Sequence, residues 1–282
     1  KLVLFFVIIW GLGLHAQEKS MRISLDEAIA FAIENSYNTK ASKNGISSAK
    51  ETVRETSAIG LPQINASFDY QNFLKQPVSL ADFDDDGIDE QFVFGKKQNL
   101  SASVTLSQLI FDGSYLVALQ ASKAYLKISE QANEKTEILT REAVVNAYGA
   151  VLVAEKSLLI LAGNVNILEK NLHDAQKIYE NGFNEQEDVE QLEITLGTLK
   201  NQRNNLEKMK GIAYQMLNLA LGNSINTALV LTDSLDTLAT TNIDLGLLSE
   251  TFNFSNHIDF KIAENYRESK RLLMQLERSK AL

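Results

Sequence analysis

The sequence contains no cysteine and only two prolines. Without cysteine no disulfide can form and no thiolate can bind a metal, which excludes a disulfide scaffold and a cysteine-ligated zinc site. The prolines are Pro62 and Pro77, so no proline interrupts a helix in the rest of the chain. A formal net charge of −9 argues against a protein that binds nucleic acid through its phosphates.

Histidine is also scarce, with three residues in 282. His173 and His257 are isolated, and neither belongs to a catalytic triad or has a second ligand at metal-binding spacing. No glycine-rich phosphate loop occurs either. The sequence therefore predicts that the protein is not an enzyme and has no cofactor.

The first sixteen residues have the pattern of a secretory signal peptide. Lys1 precedes the apolar run Leu2–Trp10, and small residues lead to a cleavage site after Ala16. The alternatives are a buried strand or an anchor helix, but the run is shorter than the ~20 residues that span a bilayer. We therefore expect residues 1–16 to be removed and the mature chain to work outside the cytoplasm.

The strongest periodicity lies between Ala147 and Ala220, where residues recur at alternating spacings of four and three. This is the seam pattern of a left-handed coiled coil. The stretch divides into two arms of about 50 Å each, separated by a turn at Gly182. The seam of the first arm comprises Ala147, Val151, Ala154, Leu158, Leu161, Val165, Leu168, Leu172, Ala175 and Tyr179. The seam of the second arm comprises Val189, Leu192, Leu196, Leu199, Arg203, Leu206, Lys210, Ala213, Leu217 and Ala220.

Residue numbers across the two arms predict that they pair antiparallel. Facing residues must then have numbers with a constant sum, and Leu172 with Leu196, like every second layer, gives 368. The alternate layers give 367. Arg203 and Lys210 interrupt the apolar seam, and we expect their aliphatic stems to lie over the partner arm. The whole helical hairpin is predicted at 113–222.

A capping box marks the start of the first predicted helix. The Ser24 hydroxyl and the Glu27 carboxylate can each accept a hydrogen bond from the backbone of the other residue. An apolar stripe follows, until Gly60 and Pro62 stop the helix. We therefore predict a helix at 24–60.

Two predicted strands, at 63–74 and 97–110, alternate apolar with small polar residues. Such strands fit a soluble sheet, whose polar face meets water, and equally a membrane barrel, whose apolar face meets lipid and whose polar face lines the lumen. The alternation alone leaves both possibilities open. Two strands cannot close a barrel, so the membrane alternative needs strands from a repeat or from other protomers. In that alternative the lumen-facing residues are Asn65, Ser67, Ser101, Ser103 and Thr105.

The segment between these strands is acidic and partly matches a calcium-binding loop. The candidate metal ligands are Asp82, Asp84, Asp86 and Glu90. The last ligand position holds Val93, where a bidentate Glu belongs, and no helices are predicted beside it. The pattern therefore favours a solvated acidic loop over a metal site.

After the hairpin the sequence pattern begins again. Residues 223–246 form a mixed segment with an apolar run at 229–231 that suits a strand. Beyond it, Ser36 corresponds to Asn256 at an offset of 220. The predicted domains are a first structural repeat at 17–246 and the start of a truncated second repeat at 247–282.

In their order, these features resemble the TolC-like outer-membrane efflux proteins over essentially the whole chain. The motifs that carry the resemblance are Ser24–Glu27, Leu61-Pro62, Gln108–Gly113, Ala147-Tyr148, Tyr179 to Val189 and Leu217–Gly222. Gln108–Gly113 is similar to the family's Gln-Pro-Leu-Phe-Asp-Gly segment, with Leu109 in place of the usual proline. The tip keeps the family's spacing of six from Gly182 to Asp188.

The resemblance implies a mainly α protein with a β-strand pair. Its coiled-coil hairpin would belong to an α-barrel tunnel, and 223–246 would be an equatorial segment. Four strands from each full protomer would form a transmembrane β-barrel that trimerisation completes. The expected partners are a homotrimer, outer-membrane lipid, a periplasmic adaptor protein and an inner-membrane pump. The adaptor-docking tip would comprise Asn181, Gly182, Phe183, Asp188 and Val189.

By the same resemblance, the protein would be the outer-membrane channel of a tripartite efflux or type I secretion system. It would act as a passive conduit from the periplasm, into which it would extend, across the outer membrane. The alternative is a soluble periplasmic coiled-coil adaptor or scaffold. An adaptor would have glycine-rich lipoyl-like strands beside its hairpin, whereas the two predicted strands suit lipid. The family's gating residues lie mainly in the second repeat's hairpin, so none is assigned.

Overall fold

Long helices and short paired strands make up the computed structural model, which describes residues 21–81, 90–93, 95–183, 185–241 and 253–280. The elements, in chain order, are β1 Met21–Ile23, α1 Leu25–Asn35, α2 Tyr37–Ala58, β2 Gln63–Asn72, β3 Val78–Ala81, β4 Glu90–Val93, β5 Gln98–Ser107, α3 Gly113–Glu180, α4 Gln186–Leu221, β6 Leu229–Leu231, α5 Leu235–Thr241, a 3-10 turn at Phe254–Asn256 and α6 Ile258–Ser279. This confirms the predicted fold class. The predicted signal peptide lies outside the described residues.

The chain forms two compact units. The first contains the described residues up to 48 and those from 127 to 266, and the second contains residues 49–126 and those from 267 onward. The first unit holds the coiled part of the hairpin together with β1 and β6. The second holds the paired strands β2 to β5.

The helix predicted at 24–60 is two helices, α1 and α2, which meet at Ser36. The capping box at its start is present, with Ser24 N–H donating to Glu27 Oε2 at 2.8 Å. At Ser36 the backbone turns extended, and the Ser36 hydroxyl accepts a hydrogen bond from Thr39 N–H at 3.3 Å. Serine thus satisfies a backbone donor at the start of α2, which ends one helix and begins the next.

Gly222, at the end of α4, lies in close contact with the break between α1 and α2 at Ser36. Its φ of 79° is left-handed, which favours glycine after a helix. A Cβ at this position would lie 2.5 Å from the Asn35 carbonyl oxygen. Glycine is therefore required both by the backbone conformation and by the close approach of the α1–α2 junction.

The buried core of the first unit lies where α1, the middle of α3 and the end of α4 meet the β1–β6 pair. These two strands are parallel, with Met21 opposite Leu229 and Ile23 opposite Leu231. The strand predicted at 229–231 is thus present, but its partner was not predicted. The core residues are Ile23, Ala28, Ile29, Ala32, Val144, Tyr148, Val151, Leu152, Leu217, Leu221 and Leu229.

One buried hydroxyl joins the helical and strand layers of this core. The Tyr148 hydroxyl donates to Asp233 Oδ2 at 2.9 Å, and the Ile23 carbonyl oxygen lies 3.2 Å from it. Asp233 Oδ2 also accepts a hydrogen bond from Leu25 N–H at 2.7 Å. Burial, together with the neighbouring Asp233 carboxylate, raises the pKa of Tyr148 well above its usual value. Tyr148 is therefore a hydrogen-bond donor at every physiological pH.

The two arms of the hairpin pair antiparallel, as predicted. Val151 and Val165 on α3 and Val189, Leu196 and Leu217 on α4 are buried along the seam. Arg203 and Lys210 are half-buried, which agrees with stems lying over the partner arm. Tyr179, the last seam residue of α3, departs from the pattern and is exposed, because it lies where the arms end.

Polar contacts along one flank of the hairpin agree with the predicted register. Gln176 donates to Glu193 at 3.2 Å, Lys200 pairs with Glu169 at 2.7 Å, and the Tyr214 hydroxyl donates to Glu155 at 2.8 Å. The numbers of each pair add to 369, one more than the seam layers, as expected for residues beside the seam. These contacts extend over most of the paired length.

We predict that Tyr148→Phe destabilises the protein, because it leaves the Asp233 carboxylate with one donor fewer. Hydrogen bonds to charged groups contribute about 1.5–3 kcal/mol, so the free energy of unfolding should fall by about 2 kcal/mol in a denaturant titration. Tyr214→Phe is the matched control. The Tyr214 residue is half-buried, whereas Tyr148 is fully buried. Water can therefore replace the lost Tyr214 hydroxyl, and the free energy of unfolding should fall by less than about 1 kcal/mol. Equal losses in the two variants would contradict a special role for the Tyr148 contact.

We also predict that cysteines placed at Leu172 and Leu196 form a disulfide on mild oxidation, since these residues face each other across the arms. The printed chain has no cysteine of its own, so non-reducing peptide mapping reads the result directly. In the control pair, Leu172→Cys with Val189→Cys, the second cysteine moves by about 10 Å along α4. That displacement exceeds the Cα separation of about 7 Å that a disulfide tolerates. Preferential bridging of the control pair would disprove the register.

Candidate functional site

β2 and β5 form an antiparallel ribbon of ten residue pairs with two different faces. The register brings all five residues predicted to face a lumen onto one face: Asn65, Ser67, Ser101, Ser103 and Thr105. Ser67 lies opposite Ser103 with their hydroxyl oxygens 2.8 Å apart, and Asp69 lies opposite Ser101 on the same face. Small polar side chains therefore cover this face.

The strands are shorter than predicted. β2 ends at Asn72 instead of residue 74, and β5 covers 98–107 instead of 97–110. Beyond Ser107, the Gln108 side-chain amide donates to the Gly60 carbonyl at 3.0 Å. This side-chain contact replaces strand pairing where the chain turns toward α3.

The opposite face of the ribbon is exposed and apolar, except for the polar pair Asn72 and Gln98 at one end. Its apolar residues are Ile64, Ala66, Phe68, Tyr70, Leu100, Ala102, Val104 and Leu106. Phe68 is 76% exposed and Val104 73% exposed. A two-stranded ribbon is marginally stable by itself, and a contiguous apolar surface of this kind marks contact with another chain or with lipid.

The acidic segment falls mostly outside the described residues. Of the four candidate calcium ligands, Asp82, Asp84 and Asp86 are not described, and Glu90 lies at the start of β4, opposite Ala81 in β3. This short strand pair was not predicted from the sequence. Within the described parts of the chain, no group of acidic or histidine side chains could hold a metal ion. The solvated acidic loop, which the sequence favours over a metal site, stays a prediction.

Phe183 at the hairpin tip exposes most of its aromatic side chain. Gly182 has a left-handed φ of 78°, and Phe183 beyond it is 85% exposed. The Asn181 side chain donates to the Lys177 carbonyl and so ends α3. Asp188 is exposed in the first turn of α4, where the helix dipole favours a carboxylate.

One residue of the predicted docking tip is not on the surface. Val189 is 8% exposed, because it is the first seam residue of α4 and packs between the arms. Its heptad position predicts a seam residue and its place in the chain predicts a tip residue. A side chain buried between the arms cannot also contact a partner, so Val189 belongs to the seam alone. The accessible part of the tip is therefore Asn181, Gly182, Phe183 and Asp188.

An apolar groove of about 1360 Å³ runs along the flank of the hairpin opposite the polar contacts. Residues from α2, α3 and α4 line it, among them Tyr37, Leu139, Val153, Met209, Ile212 and Met216. Sequence analysis did not identify this surface. A second heptad register on α3 could have done so, because Leu139, Val153, Ile160 and Ile167 recur at multiples of seven and are all exposed.

Among the described helices, only α3 is long and apolar enough to cross a membrane by length and composition. At 68 residues it would extend about 100 Å, several times the ~30 Å hydrocarbon core of a bilayer. Its apolar residues serve the seam, the core and the groove, which explains the composition without a membrane-spanning helix.

The fold and the ribbon can now be compared with known proteins. The chain is similar over 92% of its length to the Campylobacter jejuni CmeC outer membrane channel, with 14% identity, a TM-score of 0.66 and 53% of that chain covered. It is similar over 96% of its length to CusC, described as forming a transmembrane channel, with 16% identity, a TM-score of 0.68 and 60% of that chain covered. It is similar over 90% of its length to the open state of the Neisseria gonorrhoeae MtrE outer membrane channel, with 15% identity, a TM-score of 0.59 and 54% of that chain covered.

These likenesses show the fold, and the chain spans between half and two thirds of the length of the three channels. No curated protein sequence gives a significant match. The model of the outer membrane efflux protein family matches residues 28–223, which is most of the chain. The chain therefore belongs to the outer membrane efflux protein family and is an outer-membrane protein with a helical part in the periplasm.

Proposed function

We propose that this chain forms part of the wall of an efflux channel and provides a passive conduit from the periplasm across the outer membrane. The two-faced ribbon of β2 and β5 is the observation that carries the proposal. Its exposed apolar face suits lipid, and its face of serine, threonine and asparagine suits a water-filled lumen. The residues act as wall and lining, with no chemical step.

Closure of the ribbon requires further strands, which supports a homotrimer. Within the described residues β2 and β5 pair only with each other, so each keeps one open edge. An open edge in lipid leaves backbone hydrogen-bonding groups unsatisfied, at a penalty of several kcal/mol per group. Strands from other protomers, together with a second pair in each full protomer, would remove these edges.

The apolar groove supports the same assembly in the periplasm. Leu139 and Val153 line the groove and are exposed, and Ile160 lies exposed one heptad beyond Val153. This coiled-coil spacing suits a helix as the partner. We assign the groove to a helix of a neighbouring copy, because a continuous α-barrel needs every hairpin to pack on both flanks. The opposite flank of the hairpin carries charged and amide pairs instead.

The tip of the hairpin is proposed to dock a periplasmic adaptor, which links the channel to an inner-membrane pump in a tripartite system. An exposed phenylalanine beside a left-handed glycine presents a fixed aromatic anchor, the kind of residue that dominates interface energetics. The soluble-adaptor alternative is disfavoured, since the family model that matches describes efflux proteins of the outer membrane. Whether the conduit serves efflux or type I secretion is decided by the pump.

We predict that Ser103→Cys reacts with a water-soluble, membrane-impermeant maleimide in outer-membrane vesicles of the full-length protein, whereas Val104→Cys does not. The two residues are neighbours on β5 but project to opposite faces, so the lumen-facing thiol meets water and the other meets lipid. Mass spectrometry of the labelled peptide gives the result. Labelling of Val104→Cys with protection of Ser103→Cys would overturn the proposed orientation.

We predict that Phe183→Ala weakens adaptor docking without affecting folding, because the side chain is 85% exposed and its removal costs little buried area. Removal of an aromatic anchor commonly lowers affinity by at least 2 kcal/mol, about thirtyfold. Co-purification of the adaptor and the minimum inhibitory concentration of an exported compound measure the effect. Ile194→Ala, another exposed apolar residue farther along α4, is the matched control and should retain docking.

A further inference from the structure

One charged residue lies on the polar face of the ribbon. This face comprises Gln63, Asn65, Ser67, Asp69, Gln71, Asn99, Ser101, Ser103, Thr105 and Ser107. Nine of these side chains are neutral amides or hydroxyls, and the tenth is a carboxylate. Asp69 lies three residues from the end of β2, opposite Ser101, and is exposed.

Within β2 and β5, no basic side chain balances the negative charge of Asp69. Its neighbours on the same face, Ser67 and Gln71 on β2 and Ser101 opposite, are uncharged. The nearest basic residue along β5 is Lys97, which directly precedes the strand and whose carbonyl accepts a hydrogen bond from Phe73 N–H at 2.9 Å. Lys97 precedes Ser101 by four residues, so their Cα atoms are separated by roughly 13 Å along the strand. Lys97 therefore lies at a different level of the ribbon from Asp69.

We propose that Asp69 gives the barrel a preference for cations and cationic solutes over anions. The inference rests on the proposed function, because it requires that this face lines a water-filled lumen. In a homotrimer, symmetry repeats the carboxylate three times at one level of the barrel. A ring of carboxylates at one level attracts cations and repels anions, and neutral hydroxyls and amides elsewhere leave this ring as the main charge on the strands described.

The size of the effect follows from Coulomb's law. One unit charge about 10 Å from a permeating ion in water changes the local ion concentration by about twofold. The preference should therefore be modest, strongest in dilute salt, and largely lost near 1 M, where the Debye length falls to about 3 Å. Such a salt dependence separates a charge effect from a change in pore shape.

The test uses the full-length protein in planar lipid bilayers, with reversal potentials measured across a KCl gradient at or below about 0.1 M. The wild type should prefer potassium to chloride, and Asp69→Asn should lower the permeability ratio by about twofold. Asn65→Asp adds a second carboxylate to the same face and should raise the ratio. Thr105→Asn changes a side chain on this face without changing charge and is the matched control, with no expected shift.

The outcomes distinguish this inference from the proposed function. A conducting pore whose permeability ratio is the same in wild type, Asp69→Asn and Asn65→Asp would overturn the role of Asp69 and leave the channel intact. A protein that inserts but never conducts, with Ser103→Cys protected from water-soluble reagents, would overturn the channel and this inference with it. Equal shifts in Thr105→Asn and Asp69→Asn would also overturn it, because charge would then not be the cause.

Discussion

The satisfaction of backbone hydrogen bonds in the β2–β5 ribbon is the constraint on which the rest of the structure depends. Within one chain, each of these strands has one partner and one open edge among the described residues. Lipid offers no hydrogen-bonding groups, so a ribbon with an apolar outer face can enter the bilayer only as part of a closed barrel. The strands that close the barrel therefore have to come from outside this pair. Insertion of the ribbon into the membrane thus requires assembly with those strands.

In the helical hairpin, the groups that need a partner are apolar side chains instead of backbone hydrogen-bonding groups. Its seam is satisfied within the chain, since each buried seam residue of one arm packs on the other arm. Its apolar groove is not satisfied, and residues such as Val153 and Met216 remain exposed. The ribbon and the hairpin thus each leave one apolar surface exposed. In the proposed channel wall, lipid and neighbouring copies would cover these surfaces.

Within the first unit, long-range contacts stabilise the joint where α1, α3 and α4 meet the β1–β6 pair. Tyr148 connects the middle of α3 to Asp233 and to β1, and Gly222 lets the end of α4 approach the break at Ser36. The short parallel pair β1–β6 closes the same core. These contacts involve few residues, but Tyr148 is buried, and a buried polar group without its partner is strongly destabilising. The joint is therefore the place where single substitutions should matter most.

The predicted second repeat remains a prediction, although α6 provides a relevant observation. It begins at Ile258, directly after a short turn, as α2 begins at Tyr37 after the break at Ser36. Both helices contain 22 residues, and their starting points differ by 221 residues, one more than the offset inferred from the sequence. Similar length and a similar start agree with a repeat.

The sequence by itself determined every feature that depends on local periodicity. Heptads specified the arms and their register, alternation specified the two faces of β2 and β5, and glycine marked the turn at Gly182. Only the tertiary structure decided the pairing of β1 with β6 and the hydrogen bond from Tyr148 to Asp233. It also decided between seam and tip for Val189, and it brought α2 beside α3 and α4 to form the groove. The residues that meet in these contacts are far apart in the chain and share no common repeat, so no periodic pattern links them.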